Sequence, residues 1–197
     1  MGNSEWVQRL TDALKKYAGG SVCQDVMVDS DQLLSMDEKQ KAEWVCRAME
    51  KLDYHIADND KRIKIMTECS CRCYGEFIEE FKQEYQASRD IDRLIDLMYG
   101  KVFLNRPVRE GNIVYVTKAP RFPGKHAKAK TPEERQYYFC HCDFARAAEG
   151  EISPTYCLCG AGWCKQIWEQ VLERPVRVDV VQSVLLGDDI CQFAVYL

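Results

Sequence analysis

The apolar residues change their period halfway along the chain. Up to Gly100 they recur three or four positions apart, and beyond Gly111 they alternate or run in short β-branched strings. The first pattern belongs to helices with one buried stripe, the second to strands. A chain that separates the two in this way is expected to be α+β: a helical N-terminal half packed on an antiparallel sheet formed mainly by the C-terminal half. Trp6, Leu10, Ala13, Leu14 and Tyr17 define a first helix, which Gly19-Gly20 stops. Ser35 with Glu38 reads as a capping box for a second helix, which would bury Ala42, Val45, Cys46, Met49 and Leu52. A short helix is expected over 60–66. Phe77, Ile78, Phe81 and Tyr85, then Ile91, Leu94, Ile95 and Met98, give two more that meet near Ser88-Arg89.

Ile113-Val114-Tyr115-Val116 reads as a strand after the Gly111-Asn112 turn. Residues 119–131 carry Pro120, Pro123 and Gly124 and read as a loop. Arg121, Lys125, His126, Lys128 and Lys130 make it basic, which suits a solvated connector or an anion-binding lid. Strands are expected at 137–142 and 155–159, a helix at 162–173, an alternating strand at 176–180 and a closing hairpin at 190–197. The 197 residues suit one compact domain, with a helical region over 1–66 and a cysteine-rich α+β ligand- and metal-binding region over 67–197.

A net charge of −4 gives no footprint for nucleic acid, and no run of about 20 apolar residues crosses a bilayer. The N-terminus lacks the basic start and apolar stretch of a signal peptide, so a cytoplasmic, reducing setting is expected. Eleven cysteines are abnormal there, since structural disulfides are rare in that setting. Seven of them form tight groups: Cys69, Cys71 and Cys73; Cys140 and Cys142; Cys157 and Cys159, with Cys164 five further on. On a strand, residues two apart share a face, so the pairs 140/142 and 157/159 would gather four thiolates. Four thiolates suit a tetrahedral zinc, or alternatively an iron–sulfur cluster. The expected metal residues are Cys140, Cys142, Cys157, Cys159, Cys69, Cys71 and Cys73. His141, between two of them, would face away. Cys23, Cys46 and Cys191 read as small buried residues. Cys164, after Gly160-Ala161-Gly162, would sit in the first turn of a helix, where the dipole favours a nucleophilic thiolate. Nearby aromatic residues, among them Tyr156 and Trp163, can fill a core or line a small apolar pocket.

Ile152-Ser153-Pro154-Thr155-Tyr156-Cys157-x-Cys159-Gly160-Ala161-Gly162-Trp163, followed by Arg174-Pro175-Val176-Arg177-Val178 and Gly187-Asp188-Asp189-x-Cys191-x-Phe193, resembles an uncharacterised bacterial family of cysteine-rich proteins. More distantly it resembles the 4-vinyl-reductase-type domain and the 2-aminothiazoline-4-carboxylate hydrolase family. The resemblance covers about 65–197. It implies an antiparallel sheet with helices packed on it, small-molecule sensing, a zinc site and, in some members, hydrolysis. The expectation is a small-molecule-binding or sensor-like protein with a cysteine-ligated zinc. The alternative is a cysteine- or metal-dependent hydrolase or redox enzyme. The partner would be a small molecule, with a homodimer compatible and neither nucleic acid nor membrane involved.

Overall fold

The computed structural model describes residues 3–72, 75–99, 101, 104–148 and 152–197. Among the described residues, six α-helices precede the sheet: α1 (Asn3–Ala18), α2 (Gly20–Val26), α3 (Glu38–His55), α4 (Asn59–Glu68), α5 (Gly75–Ser88) and α6 (Ile91–Met98). They form where apolar residues keep helical spacing, and those stripes are the buried ones: Leu10 and Leu14, then Val45, Met49 and Leu52, then Ile65 and Met66. Gly19 does end α1, but α2 follows at once and is too short to show a period. The cap of α3 lies two residues later than Ser35. Asp37 and Gln40 form the reciprocal box, with Gln40 N donating to Asp37 Oδ1 at 2.8 Å and Asp37 N to Gln40 Oε1 at 2.9 Å. Glu38 is thereby free to reach Arg146 at 2.7 Å and Tyr137 Oη at 2.6 Å. Arg89, at φ 52°, breaks α5 from α6, and Asp90 caps α6 by accepting from Asp92 N at 2.8 Å.

The sheet has four antiparallel strands in the order β1-β2-β4-β3: β1 (Val108–Glu110), β2 (Ile113–Thr117), β3 (Arg177–Gln182) and β4 (Gln192–Tyr196). The fold is α+β, with helices mostly early and strands mostly late. The closing segment is a central strand of the sheet: Val195 faces Val114 and Val178 across the ladder, and Phe193 faces Val116 and Val180. β1 escapes the alternation argument because all three residues are exposed, and its Arg109 and Glu110 suit a sheet edge.

Two expected strands are helical. Residues 137–142 belong to α8 (Pro132–Phe139) and the turn after it. Thr131 caps α8 by accepting from Glu134 N, Pro132 stands at N1, and two glutamates fill the first turn. That start signal outweighs the strand propensity of Tyr137-Tyr138-Phe139. The loop before it contains a four-residue helix, α7 (Pro123–His126). Residues 155–159 form a 3-10 turn (Pro154–Cys157) that runs directly into α9 (Leu158–Leu172). Ser153 initiates it, its hydroxyl accepting from Thr155 N at 3.1 Å. Gly160-Ala161-Gly162 lies inside α9 because neighbours leave no room for side chains. A Cβ on Gly162 would come within 2.6 Å of Thr67 Cα, and one on Gly160 within 2.8 Å of the Phe193 ring.

Two apolar clusters result. One joins α1 to α4 with residues 139–148 and 152–157, and the other joins α5 and α6 to the sheet and α9. α9 packs against α4, α5, β3 and β4, and so stands between the two.

Candidate functional site

A cavity of about 310 Å³ opens where the N-terminus of α9 meets the sheet, α1 and the turn after α8. Cys71, Cys140, Cys142, Cys157, Cys159 and Cys191 line it, together with Trp6, Phe144, Tyr156, Trp163 and Phe193. The grouped cysteines therefore converge, though by a different route from strand alternation. Cys140 caps the C-terminus of α8, Cys142 lies in the following turn, Cys157 is the N-cap of α9 and Cys159 is its second residue. Cys69, at the end of α4, is fully buried behind Cys159 and interacts with its sulfur. Cys73 lies outside the described residues. Cys191, expected in the core, precedes β4 and lines the cavity. A larger, more open depression of about 590 Å³ beside Thr67, Arg72 and Gln166 lacks cysteine and aromatic walls.

The thiols differ sharply in environment. Burial raises the Cys140 and Cys142 thiols, and the Cys142 sulfur contacts the Tyr156 hydroxyl. Burial pushes Cys157 up to about 11, partly offset by the Ser183 hydroxyl 2.9 Å away. Cys164, the expected nucleophile, lies in the second turn of α9 among Ile167 and Trp168, and burial takes its thiol to about 12. Cys159 goes the other way and is lowered. Its interaction with the neighbouring Cys69 side chain is the main cause. Burial opposes it, and the Trp6 indole, Lys118 and the Cys71 amide help. The helix-dipole argument made for Cys164 belongs to Cys159, which occupies the first turn. No disulfide joins the described cysteines. Among the described residues, no three His, Cys, Asp or Glu side chains are gathered closely enough to ligate one metal ion.

His141 lines the cavity, but its Nε2–H donates to the Ala119 carbonyl at 2.7 Å. Burial, then the nearby Lys118, lowers it to about 4, so the ring is neutral at pH 7. Trp6, read from the sequence as part of the first helix's apolar stripe, and Asp53, which the sequence did not single out, both build the site. Trp6 stacks obliquely on Phe144 and Tyr156, with centroids 5.1 and 5.9 Å away, which anchors α1 to the cavity floor. Asp53 on α3 accepts from Ser153 Oγ, from Thr155 Oγ1 at 2.6 Å and from Arg62 at 2.7 Å, so it holds the turn that presents Cys157 and Cys159.

Reduced, metal-free protein should be alkylated by iodoacetamide fastest at Cys159. The rate should level off at a lower pH than that of an ordinary thiol, which keeps gaining thiolate through about 8.5. Peptide mapping after short exposure checks this; equal labelling of Cys157 and Cys159 at pH 7 contradicts it.

The fold and the cavity define an α+β protein with a cysteine- and aromatic-lined cavity at the N-terminus of a central helix. Residues 131–197, about a third of the chain, match the model of a family of unknown function, DUF6144. That segment supplies α8, α9, β3, β4 and, among the described residues, all the lining cysteines except Cys71. No curated protein and no solved structure matches the chain. Among the described residues, no helix is long and apolar enough to cross a membrane.

Proposed function

We propose that the protein binds a small molecule in this cavity, in the manner of a sensor or carrier. The observation that carries the reading is the cavity itself: an apolar, aromatic-walled space of about 310 Å³ on which six cysteines from separate segments converge. Ligand sites are concave, mostly apolar and furnished with a few convergent polar groups. The resemblance to the 4-vinyl-reductase-type domain points the same way.

The same cluster has the donor chemistry of a zinc site. Cys69, Cys71, Cys142 and Cys159 neighbour one another electrostatically, and soft thiolates favour zinc. In the arrangement described, the sulfurs are paired rather than gathered, so closing four of them round an ion requires side-chain rearrangement. Elemental analysis of protein purified without oxygen tests this part. Stoichiometric zinc supports it, and colour with iron indicates an iron–sulfur cluster. Thiolates must be deprotonated to bind metal, so metal should be retained at neutral pH and released on acidification. Metal-free protein with unchanged protease sensitivity after chelator treatment ends the zinc reading.

One observation favours a second reading, a thiol-dependent enzyme. Cys159 combines a lowered pKa with a place in the wall of the cavity. Cys159→Ser separates the two: ligand binding should survive the change, whereas turnover by a Cys159 nucleophile would not.

A further inference from the structure

We infer that the cavity takes an anionic small molecule, a single acid group on an apolar body, with the acid group set against the Lys118 ammonium. The inference rests on the binding role proposed above and narrows it to a ligand class.

Lys118 follows β2, and its main-chain N–H donates to the Cys191 carbonyl at 3.0 Å, which fixes the base of its side chain beside the sheet. Its Nζ stands 4.6 Å from the Trp163 ring centre and 5.7 Å from that of Phe193. Its charge is felt at Cys140, Cys157, Cys159, Cys164, Cys191 and His141, which places it centrally in the cavity wall. The other cations have carboxylates: Arg9 lies 3.5 Å from Glu5, and Arg121 lies 3.8 Å from Asp143. Among the described residues, no carboxylate forms a salt bridge with Lys118. Among the described residues, Asp143 is the one carboxylate in the lining, and it is claimed by Arg146 at 3.2 Å as well as by Arg121.

A second observation is independent of charge. Trp163 is 5% exposed and lines the cavity, yet its indole N–H has no hydrogen-bond partner among the described residues. A buried donor without an acceptor is costly, and a ligand oxygen would satisfy it. The Lys118 ammonium, the Trp163 N–H and the Trp6 N–H, which also lines the cavity without a hydrogen-bond partner among the described residues, suit the oxygens of one acid group. The walls of Trp163, Phe193, Tyr156 and Phe144 then accept an apolar body, most naturally a flat one.

The test uses the full, reduced chain and two fluorescent probes of similar shape, anionic anilinonaphthalene sulfonate and neutral N-phenylnaphthylamine. The sulfonate should bind the native protein, more weakly as salt is raised. Lys118→Met should weaken the sulfonate at least tenfold and leave the neutral probe within about twofold, while Lys118→Arg retains both. Trp163→Phe should weaken the sulfonate by a smaller factor. Should Lys118→Met not fold, Lys118→Gln and the salt titration of the native protein carry the test. If the neutral probe binds and neither charge removal nor salt affects the sulfonate, the anion inference is overturned and the cavity reading stands; that is also the outcome if Lys118 serves only to balance the Cys159 thiolate. If neither probe binds the folded protein, the binding role itself falls, and the inference with it.

Discussion

Gly162→Val should lower the stability of the protein by about 3 kcal/mol, the upper end of the range for overpacked cores. α4 and α9 meet at this point with no side chain between them, and an added Cβ would lie 2.6 Å from Thr67 Cα and 3.2 Å from Ser70 Cβ. The main obstacle is backbone, which cannot swing aside, so the helices must separate. Separation would also disturb Gln166, whose side chain donates to the Thr67 carbonyl at 2.8 Å and contacts Ser70. Cys69 and Cys71 follow directly on α4, so the damage should spread to the cavity and raise the reactivity of its thiols. Gly160→Ala is the control. The Cβ there meets the tip of the Phe193 ring at 2.8 Å, a side chain that can tilt. The higher helix propensity of alanine returns up to about 1 kcal/mol, so the net cost should be small. Urea unfolding of both variants checks the contrast; equal midpoints would show that α4 and α9 do not touch as described.

Asp53→Ala should cost about 2 kcal/mol at pH 7, since it strands hydroxyl donors and a partly buried guanidinium. Burial alone would raise the Asp53 carboxyl, but hydrogen bonds from Ser153 and Thr155 and the Arg62 cation outweigh it and leave it below its ordinary value. A carboxylate depressed in the folded state contributes stability above its unfolded pKa, about 3.9. That contribution is lost as pH falls through the lower folded value. The gap between native and variant protein should therefore be full at pH 7 and shrink below about pH 4. Asp53→Asn should fall between, keeping an acceptor but losing the charge. Because this carboxylate ties the Ser153–Thr155 turn to α3, the variant should also loosen Cys157 and Cys159, visible as faster labelling of Cys157. A pH-independent difference in unfolding free energy would show that the carboxylate charge carries none of it.

The helices were legible wherever the apolar stripe was long, as in α1, α3, α5 and α6. β2, β3 and β4 were legible from β-branched alternation. Local chemistry misled where two signals overlapped. Tyr137-Tyr138-Phe139 has strand propensity, yet Thr131-Pro132-Glu133-Glu134 had already started a helix. Gly160-Ala161-Gly162 resembles a turn that precedes a helix, and only the distant Thr67 and Phe193 explain glycines within one. The convergence of the cysteines was anticipated because their grouping is dense, but the assumed alternation was wrong. Thiolate character was assigned to Cys164 because the start of α9 was placed four residues late. The site roles of Trp6, Asp53 and Lys118 could not be found from spacing, since each acts on residues far along the chain and each has an ordinary local role. Lys118 reads as a polar residue at a strand end until the rings of Trp163 and Phe193 are placed beneath it.

The position of α9 has a consequence for dissecting the molecule. One side of this helix closes the helical layer through α4, and the other closes the sheet through β3, β4 and Phe193. It is a party wall, and neither room is enclosed without it. A fragment carrying α1 to α4 would expose the seam where Gly162 docks, and a fragment carrying the sheet would keep α9 with a bare flank. The cavity sits at the end of this wall and draws its lining from both sides. Occupancy there would brace the two layers together.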